Sequence, residues 1–351
     1  MNDRRPTRIA LLGCGVHSRT SHAAPMAQVV GEHPGEVELV GVCDLDAARA
    51  GAFVEEFGFA AAFTDVDRML AETKPDVIVV VGDVNSTLAC AVTAAKLWTP
   101  VAHVEAGLRS FDRRMPEEIN RVVTDALSDF LFTTSRDADE NLLREGISVD
   151  RIFFVGNVMI DTLNKHQARA EQLGTSARFE LERGGYVLLT LHRPSNVDIP
   201  EVFSGILDAL ADIQRDLPIL FPTHPRTIKR VSEFGFSERL AAMPNLRVVE
   251  PLGYLEFLDL MMHARLVLTD SGGIQEETTI LGVPCLTMRE NTERPITITE
   301  GTNTLVGADP ARIVAETQRI LTGKGKVGRI PELWDGHTAK RIVAILREHF
   351  K

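Results

Sequence analysis

Short apolar, β-branched runs alternate with amphipathic stretches from one end of this chain to the other, and that alternation leaves few folds open. The runs are Arg8 to Leu12, Val37 to Cys43, Val77 to Val81, Val101 to Val104, Phe130 to Thr133 and Ile152 to Val155, then Tyr186 to Thr190, Ile219 to Pro222, Leu246 to Val249, Leu266 to Thr269 and Cys285 to Met288. Strands that are apolar throughout lie buried on both faces, and connections long enough to hold a helix predict a parallel α/β sheet. The pattern occurs twice. With 351 residues, more than one core usually holds, two Rossmann-like domains are expected. The polar interval from about Lys165 ends in Gly184-Gly185, which places the domains at 1–165 and 166–337. Residues 338–351 carry Ile342, Val343, Ile345 and Leu346 at helical spacing and are expected to pack back on the first domain.

Composition narrows the function more than the fold. No apolar run approaches the roughly 18 residues that span a bilayer, and Met1 to Pro6 leads straight into a strand, so neither a membrane segment nor a signal peptide is expected. Cys14, Cys43, Cys90 and Cys285 are dispersed in apolar contexts without metal-ligand spacing. They predict no disulfide framework and no metal, and they favour a cytoplasmic protein. The net charge of −11 argues against nucleic-acid binding but leaves room for a local phosphate pocket.

The densest polar segment is His103-Val104-Glu105-Ala106-Gly107-Leu108-Arg109-Ser110, followed by Pro116-Glu117-Glu118-Ile119-Asn120-Arg121. The run Val77 to Val81 ends at Gly82-Asp83, so Asp83 stands at the carboxyl end of a strand, where open α/β sheets bind ligands. The next strand delivers Glu105 to the same edge. Pro116 opens a helix with Glu117 and Glu118 in its first turn, where acids also serve simply as helix-end charge. Three acids at one edge need neutralising partners or a task.

The second half repeats the theme with cations. His192-Arg193 and His224-Pro225-Arg226 each follow a strand, and Arg289 and Arg294 follow another. Imidazole and guanidinium groups at strand ends suit phosphate oxygens. Thr269-Asp270-Ser271-Gly272-Gly273-Ile274-Gln275-Glu276-Glu277 is a strand, a turn and a helix start, whose successive N–H groups make an anion site. Glu277, one turn on, could accept ribose hydroxyls or be a solvated helix acid.

From about Lys74 onward these runs strongly resemble the non-hydrolysing UDP-N-acetylglucosamine 2-epimerases, two-Rossmann-domain proteins of the GT-B glycosyltransferase type with a cleft between the domains. The matching runs are Gly82-Asp83, His103 to Ser110, Pro116 to Arg121, Gly156-Asn157, His192-Arg193, Tyr254 to Phe257, Thr269 to Glu277, Glu293-Arg294-Pro295 and Gly301-Thr302. The resemblance implies inversion at C2 of a UDP-sugar, by anti-elimination of UDP to a 2-acetamidoglucal and re-addition from the other face. It implies Asp83, Glu105 and Glu117 as catalytic carboxylates and His192 at the departing diphosphate. Ser271, Gly272 and Gly273 would form the phosphate turn, Glu277 the ribose contact, Phe257 part of the uracil pocket and Arg294 a sugar or phosphate contact. Arg109, Asn120 and Arg193 join the substrate-binding set. No cofactor is required, and a homodimer is expected.

Residues 8–81 resemble instead the Rossmann half of the glucose-fructose oxidoreductase family, through Gly13-Cys14-Gly15-Val16-His17-Ser18 and Val40 to Asp44. In that reading Gly13 and Gly15 allow a dinucleotide turn and Asp44 takes the adenosine ribose, although the third glycine position holds Ser18. The Lys that family carries after a Glu at a later strand end is absent, since Ala106 follows Glu105. The expectation is a composite chain, oxidoreductase-like over 1–75 and epimerase-like over 76–165 and beyond, with Arg19 as a candidate replacement for a missing phosphate contact. The alternatives to the epimerase are an NAD-binding sugar-nucleotide oxidoreductase, an inactive chimeric scaffold, and a hydrolysing relative that releases free N-acetylmannosamine.

Overall fold

Every paired strand in the computed structural model runs parallel to its neighbour, as the uniformly apolar runs require. Residues 6–15, 18–32 and 34–350 are described. The N-terminal residues 1–5, and Val16 and His17 of the first βα turn, lie outside them. The chain forms two units, Met1–Asn157 with His337–Lys351, and Val158–Gly336.

The first unit has strands β1 (Thr7–Leu12), β2 (Val37–Cys43), β3 (Ala62–Phe63), β4 (Ile78–Val81), β5 (Val101–Ala106), β6 (Phe130–Thr133) and β7 (Ile152–Phe154). They pair as β1-β2-β3 and β4-β5-β6-β7, and a bridge from Ile9 to Val77 sets β1 beside β4. The resulting order, 3-2-1-4-5-6-7, reverses direction between β1 and β4, and the ends of those strands form the switch point at which such sheets bind ligands. Helices α1 (Ala24–Glu32), α2 (Ala47–Phe57), α3 (Val66–Thr73), α4 (Asn85–Lys96), α5 (Pro116–Leu127) and α6 (Arg136–Arg144) connect the strands.

The second unit begins with α7 (Val158–Glu171). Its strands are β8 (Val187–Thr190), β9 (Ile219–Pro222), β10 (Leu246–Val249), β11 (Leu266–Thr269), β12 (Cys285–Thr287) and β13 (Asn303–Leu305), in the order 10-9-8-11-12-13. This is the same Rossmann order, with its switch point between β8 and β11. The longer helices are α8 (Pro200–Ile213), α9 (Pro225–Glu233), α10 (Tyr254–His263), α11 (Gly272–Leu281) and α12 (Pro310–Leu321). Strand side chains alternate between two cores: Val187 and Leu189 join Phe203, Ile206 and Phe221 on one face, while Leu188 joins Leu163, Tyr186 and Leu258 on the other.

The unit boundary falls ahead of the junction placed after residue 165, because Leu163 and Ala170 of α7 are buried in the second core. The polar interval begins inside that helix, which ends at Glu171. The final helix α13 (Thr338–His349) belongs with the first unit. Its Ile342 and Leu346 are buried, His349 and Phe350 pack on Phe130 with ring centroids 4.6 and 5.7 Å apart, and Arg341 Nη1 donates to the Val155 carbonyl at 2.9 Å. Two strands escaped the sequence pattern, β3 and β13. Both are edge strands of two or three residues, too short to show a period.

Candidate functional site

In the first unit, β4 and β5 pair with Val81 opposite Val104, so their carboxyl ends present Asp83 and Glu105 side by side. The β5–β6 register slips between Val104 and Ala106, and Glu105 occupies the slip with φ of 70°. A left-handed Glu at a bulge is a strained conformation that re-aims the side chain, of the kind that gathers at functional positions.

Helix α5 supplies the partners. Arg121 donates to Asp83 Oδ2 from Nε and Nη2 at 3.1 and 2.7 Å, and Asn120 Nδ2 donates to the Asp83 carbonyl at 2.8 Å. Glu117 lies one turn before both residues on that face, so the helix brings it toward the same edge. Glu118 has a different task. Buried, it accepts from Ser110 N, Ser110 Oγ and Phe111 N, each at 2.9 Å, and from Arg121 Nη1 at 2.7 Å. It fastens the connecting loop and steadies the guanidinium that holds Asp83.

Arg109, expected to bind substrate, is turned inward instead. Its side chain is 1% exposed, Nη2 lies 2.7 Å from Asp125 Oδ2, and Nε and Nη2 fork onto Glu145 at 2.8 and 2.6 Å. Its guanidinium is committed to two carboxylates, one buried and one at the surface. Sequence reading also missed Asp125, Glu118 and Arg121 as partners. The one available signal was their spacing along α5, which stacks them on successive turns.

In the second unit, the ends of β8 and β11 carry His192 and Asp270. His192 Nδ1 lies 2.8 Å from Asp270 Oδ1, and the backbone N–H groups of His192 and Arg193 donate to Asp270 at 2.9 and 2.8 Å. Burial alone would raise the Asp270 carboxyl, but these donors hold it below the usual range. Asp270 thereby fixes the ring and directs Nε2 away from itself. Only its place after a strand, like that of Asp83, could have signalled it. His224 Nδ1 caps α9, and its ring lies 5.8 Å from that of His192. Arg193 follows at the same loop, half-buried.

Helix α11 starts at Ser271-Gly272-Gly273, immediately after β11. A Cβ on Gly272 would stand 2.7 Å from Arg294 Nη1 and 2.8 Å from Glu293 Oε1, whereas one on Gly273 would meet only Met159 at 3.9 Å. Arg294 itself is committed to Glu276 at 2.9 Å and Glu293 at 2.6 Å, and Glu293 also takes Arg289 at 2.8 Å. Gly272→Ala is therefore expected to displace the ends of the Arg294 and Glu293 side chains, a shift a crystal structure of the variant would show, while Gly273→Ala leaves both in place.

Glu277 is not a solvated helix acid. It is buried, and its Oε1 accepts from Tyr254 Oη at 2.9 Å. Burial pushes its carboxyl up to about 7, the Tyr254 hydrogen bond offsetting only part of that rise. Tyr254 opens α10 and Phe257 follows three residues later, packed against the second-unit core. A carboxyl raised in the folded state contributes stability that is present below its unfolded value and is lost as pH rises through about 7. Glu277→Gln should accordingly raise Tm relative to the parent at pH 8 but hardly at pH 4.5, with a gain on the order of 2 kcal/mol at the higher pH. An equal shift at both values would refute the assignment.

In the N-terminal turn Asp44 closes the backbone on itself. Both Asp44 oxygens are taken by backbone donors, Cys14 N at 2.7 Å and Asp46 N at 2.9 Å. Gly13 needs its freedom, with φ of 88°, but Gly15 faces open space where any side chain would fit. Arg19 pairs with Glu56 and lies over the Phe53 ring at 5.0 Å, against α2. Among the described residues, no group of three His, Cys, Asp or Glu side chains could hold a metal ion, and no helix is long and apolar enough to cross a membrane.

Two parallel Rossmann sheets, one with acids at its switch point and the other with an aspartate-held histidine and a glycine turn, define a protein of the GT-B type that handles a nucleotide-linked substrate. A model of the UDP-N-acetylglucosamine 2-epimerase family matches residues 26–347. The chain belongs to that family. It is 46% identical over 287 residues to the UDP-N-acetylglucosamine 2-epimerase of Methanocaldococcus jannaschii, covering 80% of this chain and 78% of that one. It is 44% identical over 263 residues to the UDP-2,3-diacetamido-2,3-dideoxy-D-glucuronate 2-epimerase of Pseudomonas aeruginosa, covering 74% and 71%. The crystal structure of the M. jannaschii enzyme in complex with UDP-GlcNAc and UDP aligns with a TM-score of 0.79 at 38% identity over 97% of this chain and 99% of that one. The match from residue 26 begins well ahead of the splice expected near residue 75, and the structural alignment runs through nearly the whole chain. The family model thus covers residues 26–347, and nothing found supports an oxidoreductase-like segment at the N-terminus.

Proposed function

We propose that this protein interconverts UDP-N-acetylglucosamine and UDP-N-acetylmannosamine by eliminating UDP across C1–C2 and adding it back to the other face of the 2-acetamidoglucal. The observation that carries this reading is the pair of adjacent strand ends that set Asp83 beside Glu105, with Arg121, Asn120 and Glu117 on one face of α5. In the forward step a carboxylate takes the C2 proton, its bonding pair forms the C1–C2 double bond, and the C1–O bond breaks with its electrons leaving on UDP. Re-addition returns UDP to C1 and a proton to C2. Carboxylates suit the proton transfers, and fixed donors suit the growing diphosphate charge. For that charge the second unit supplies His192, Arg193 and the Ser271-Gly272-Gly273 turn, with Glu277 toward the ribose and Phe257 toward the uracil. Neither the elimination nor the re-addition moves a hydride, so these steps call for no nicotinamide.

Incubation with UDP-GlcNAc in deuterium oxide, followed by NMR, tests the proposal. Deuterium at C2 and the appearance of UDP-ManNAc are expected. Absence of both at high enzyme concentration overturns it, and free N-acetylmannosamine in place of UDP-ManNAc would show a hydrolysing enzyme. Because the P. aeruginosa relative is nearly as similar, UDP-2,3-diacetamido-2,3-dideoxy-D-glucuronate belongs in the same assay. A cytoplasmic location and a homodimer complete the reading. Four free, buried cysteines support the first, and exposed Phe111, Val123 and Val149 on the first unit support the second, with sedimentation as its check.

A further inference from the structure

Beneath the acid edge lies a buried cluster that substrate cannot touch. His103, on β5, is fully buried, with Nδ1 2.6 Å from Asp125 Oδ1 and Nε2 2.9 Å from the Gly82 carbonyl. Both partners only accept, since one is a carboxylate and the other a peptide oxygen. Both ring nitrogens must therefore carry protons, and His103 is an imidazolium. The other Asp125 oxygen accepts from Gly107 N at 3.1 Å and from Arg109 Nη2 at 2.7 Å. Asp125 thus has one oxygen tied, through His103, to the peptide that joins Gly82 to Asp83. Its other oxygen is tied to the turn that follows Glu105.

We infer that the His103–Asp125 pair is the positioning unit that sets Asp83 and Glu105 relative to each other for proton transfer at C2. The inference rests on the epimerase reading given above. Gly82 and Gly107 both have left-handed backbones, with φ of 70° and 78°, and the strained Glu105 stands next to the second turn. Such turns persist only when their surroundings over-determine them. A buried charged pair with hydrogen bonds to both turns does that, because charge-assisted bonds in a buried, low-dielectric site tolerate little displacement. The groups that face His103 are Asp125 from α5 and Glu105 from its own strand, and those that face Asp125 are His103 and Arg109. Burial opposes charge on both members, but their mutual attraction prevails: the imidazole is held above its usual range and the carboxylate below.

The test compares the parent with His103→Gln and Asp125→Asn for C2 deuterium exchange, KM, and UDP affinity by calorimetry. For a misplacement of the acids, kcat should fall about 100-fold while KM and the UDP dissociation constant stay within about threefold. Asp125→Glu, which keeps the charge but shifts it, should fall between. Unchanged kcat in a folded variant overturns the inference, and so does a loss of UDP affinity in proportion to kcat, which marks general damage. If neither variant folds, 15N NMR of the parent decides: both His103 ring nitrogens protonated at pH 7.5 is the expected result, and a neutral ring overturns it. A parent that shows no exchange at all rejects the epimerase reading instead, so the two failures are separable.

Discussion

Glu105→Gln is expected to lower the rate of C2 deuterium exchange from UDP-GlcNAc by roughly a thousandfold, within the range that a positioned acid or base contributes. The amide keeps the size and the hydrogen-bonding reach of the carboxylate but cannot take a proton at these pH values. Because Glu105 sits in a left-handed bulge at the end of β5, the backbone already carries the strain that aims it. The substitution leaves that backbone unchanged, so Tm should move little. UDP affinity should also hold, since His192, Asp270 and the Gly272 turn belong to the other unit. Exchange that survives within about tenfold of the parent would remove Glu105 from the proton-transfer chemistry and leave Asp83 and Glu117 to account for it.

Arg109→Ala is expected to act on stability rather than on substrate affinity, at a cost of about 3 kcal/mol, because it strands the buried Asp125. The guanidinium is the shared partner of Asp125 and Glu145, and it also donates to the Leu108 carbonyl at 2.8 Å. Removing it leaves Asp125, 1% exposed, with His103 as its one remaining cation. Arg109→Lys should recover only part of the loss, since a single ammonium cannot reproduce a fork onto Glu145 while reaching Asp125. Denaturant unfolding of the two variants gives the answer directly. A variant with parental stability but a much raised KM would restore Arg109 to the substrate-binding set.

Legibility in the sequence followed burial. Apolar runs long enough to cross a sheet were plain, so the parallel sheets could be read, while the edge strands β3 and β13 could not. Asp83, Glu105 and His192 could be placed at strand ends because a strand's end is a local property. Arg109 shows the opposite: nothing local distinguishes an arginine that points into a core from one that points at a ligand, and its pairing with Asp125 and Glu145 is seen only in the structure. The unit boundary lies ahead of the expected junction because Leu163 and Ala170 of α7, few among polar neighbours, find their partners in the second core. The oxidoreductase-like start rested on two glycines and an aspartate, a combination that any tight first βα turn can show. Only the hydrogen bonds from Cys14 and Asp46 to Asp44 reveal that the carboxylate closes its own turn.

By itself the sequence determined the periodicities: which segments are strands and which are helices, that the sheet would be built twice, and which acids and cations would stand at strand ends. These depend on residues close together in the chain, where pattern and physical neighbourhood coincide. Tertiary structure alone decided who neutralises whom. That Asp125 serves His103, Gly107 and Arg109 at once, that Asp270 holds His192, and that Tyr254 meets Glu277 are facts of packing between segments far apart in the chain. Charges on distant segments of a buried site take whatever partner the fold brings within about 3 Å, a distance that spacing along the sequence encodes only within a single helix, as for Glu118 and Arg121.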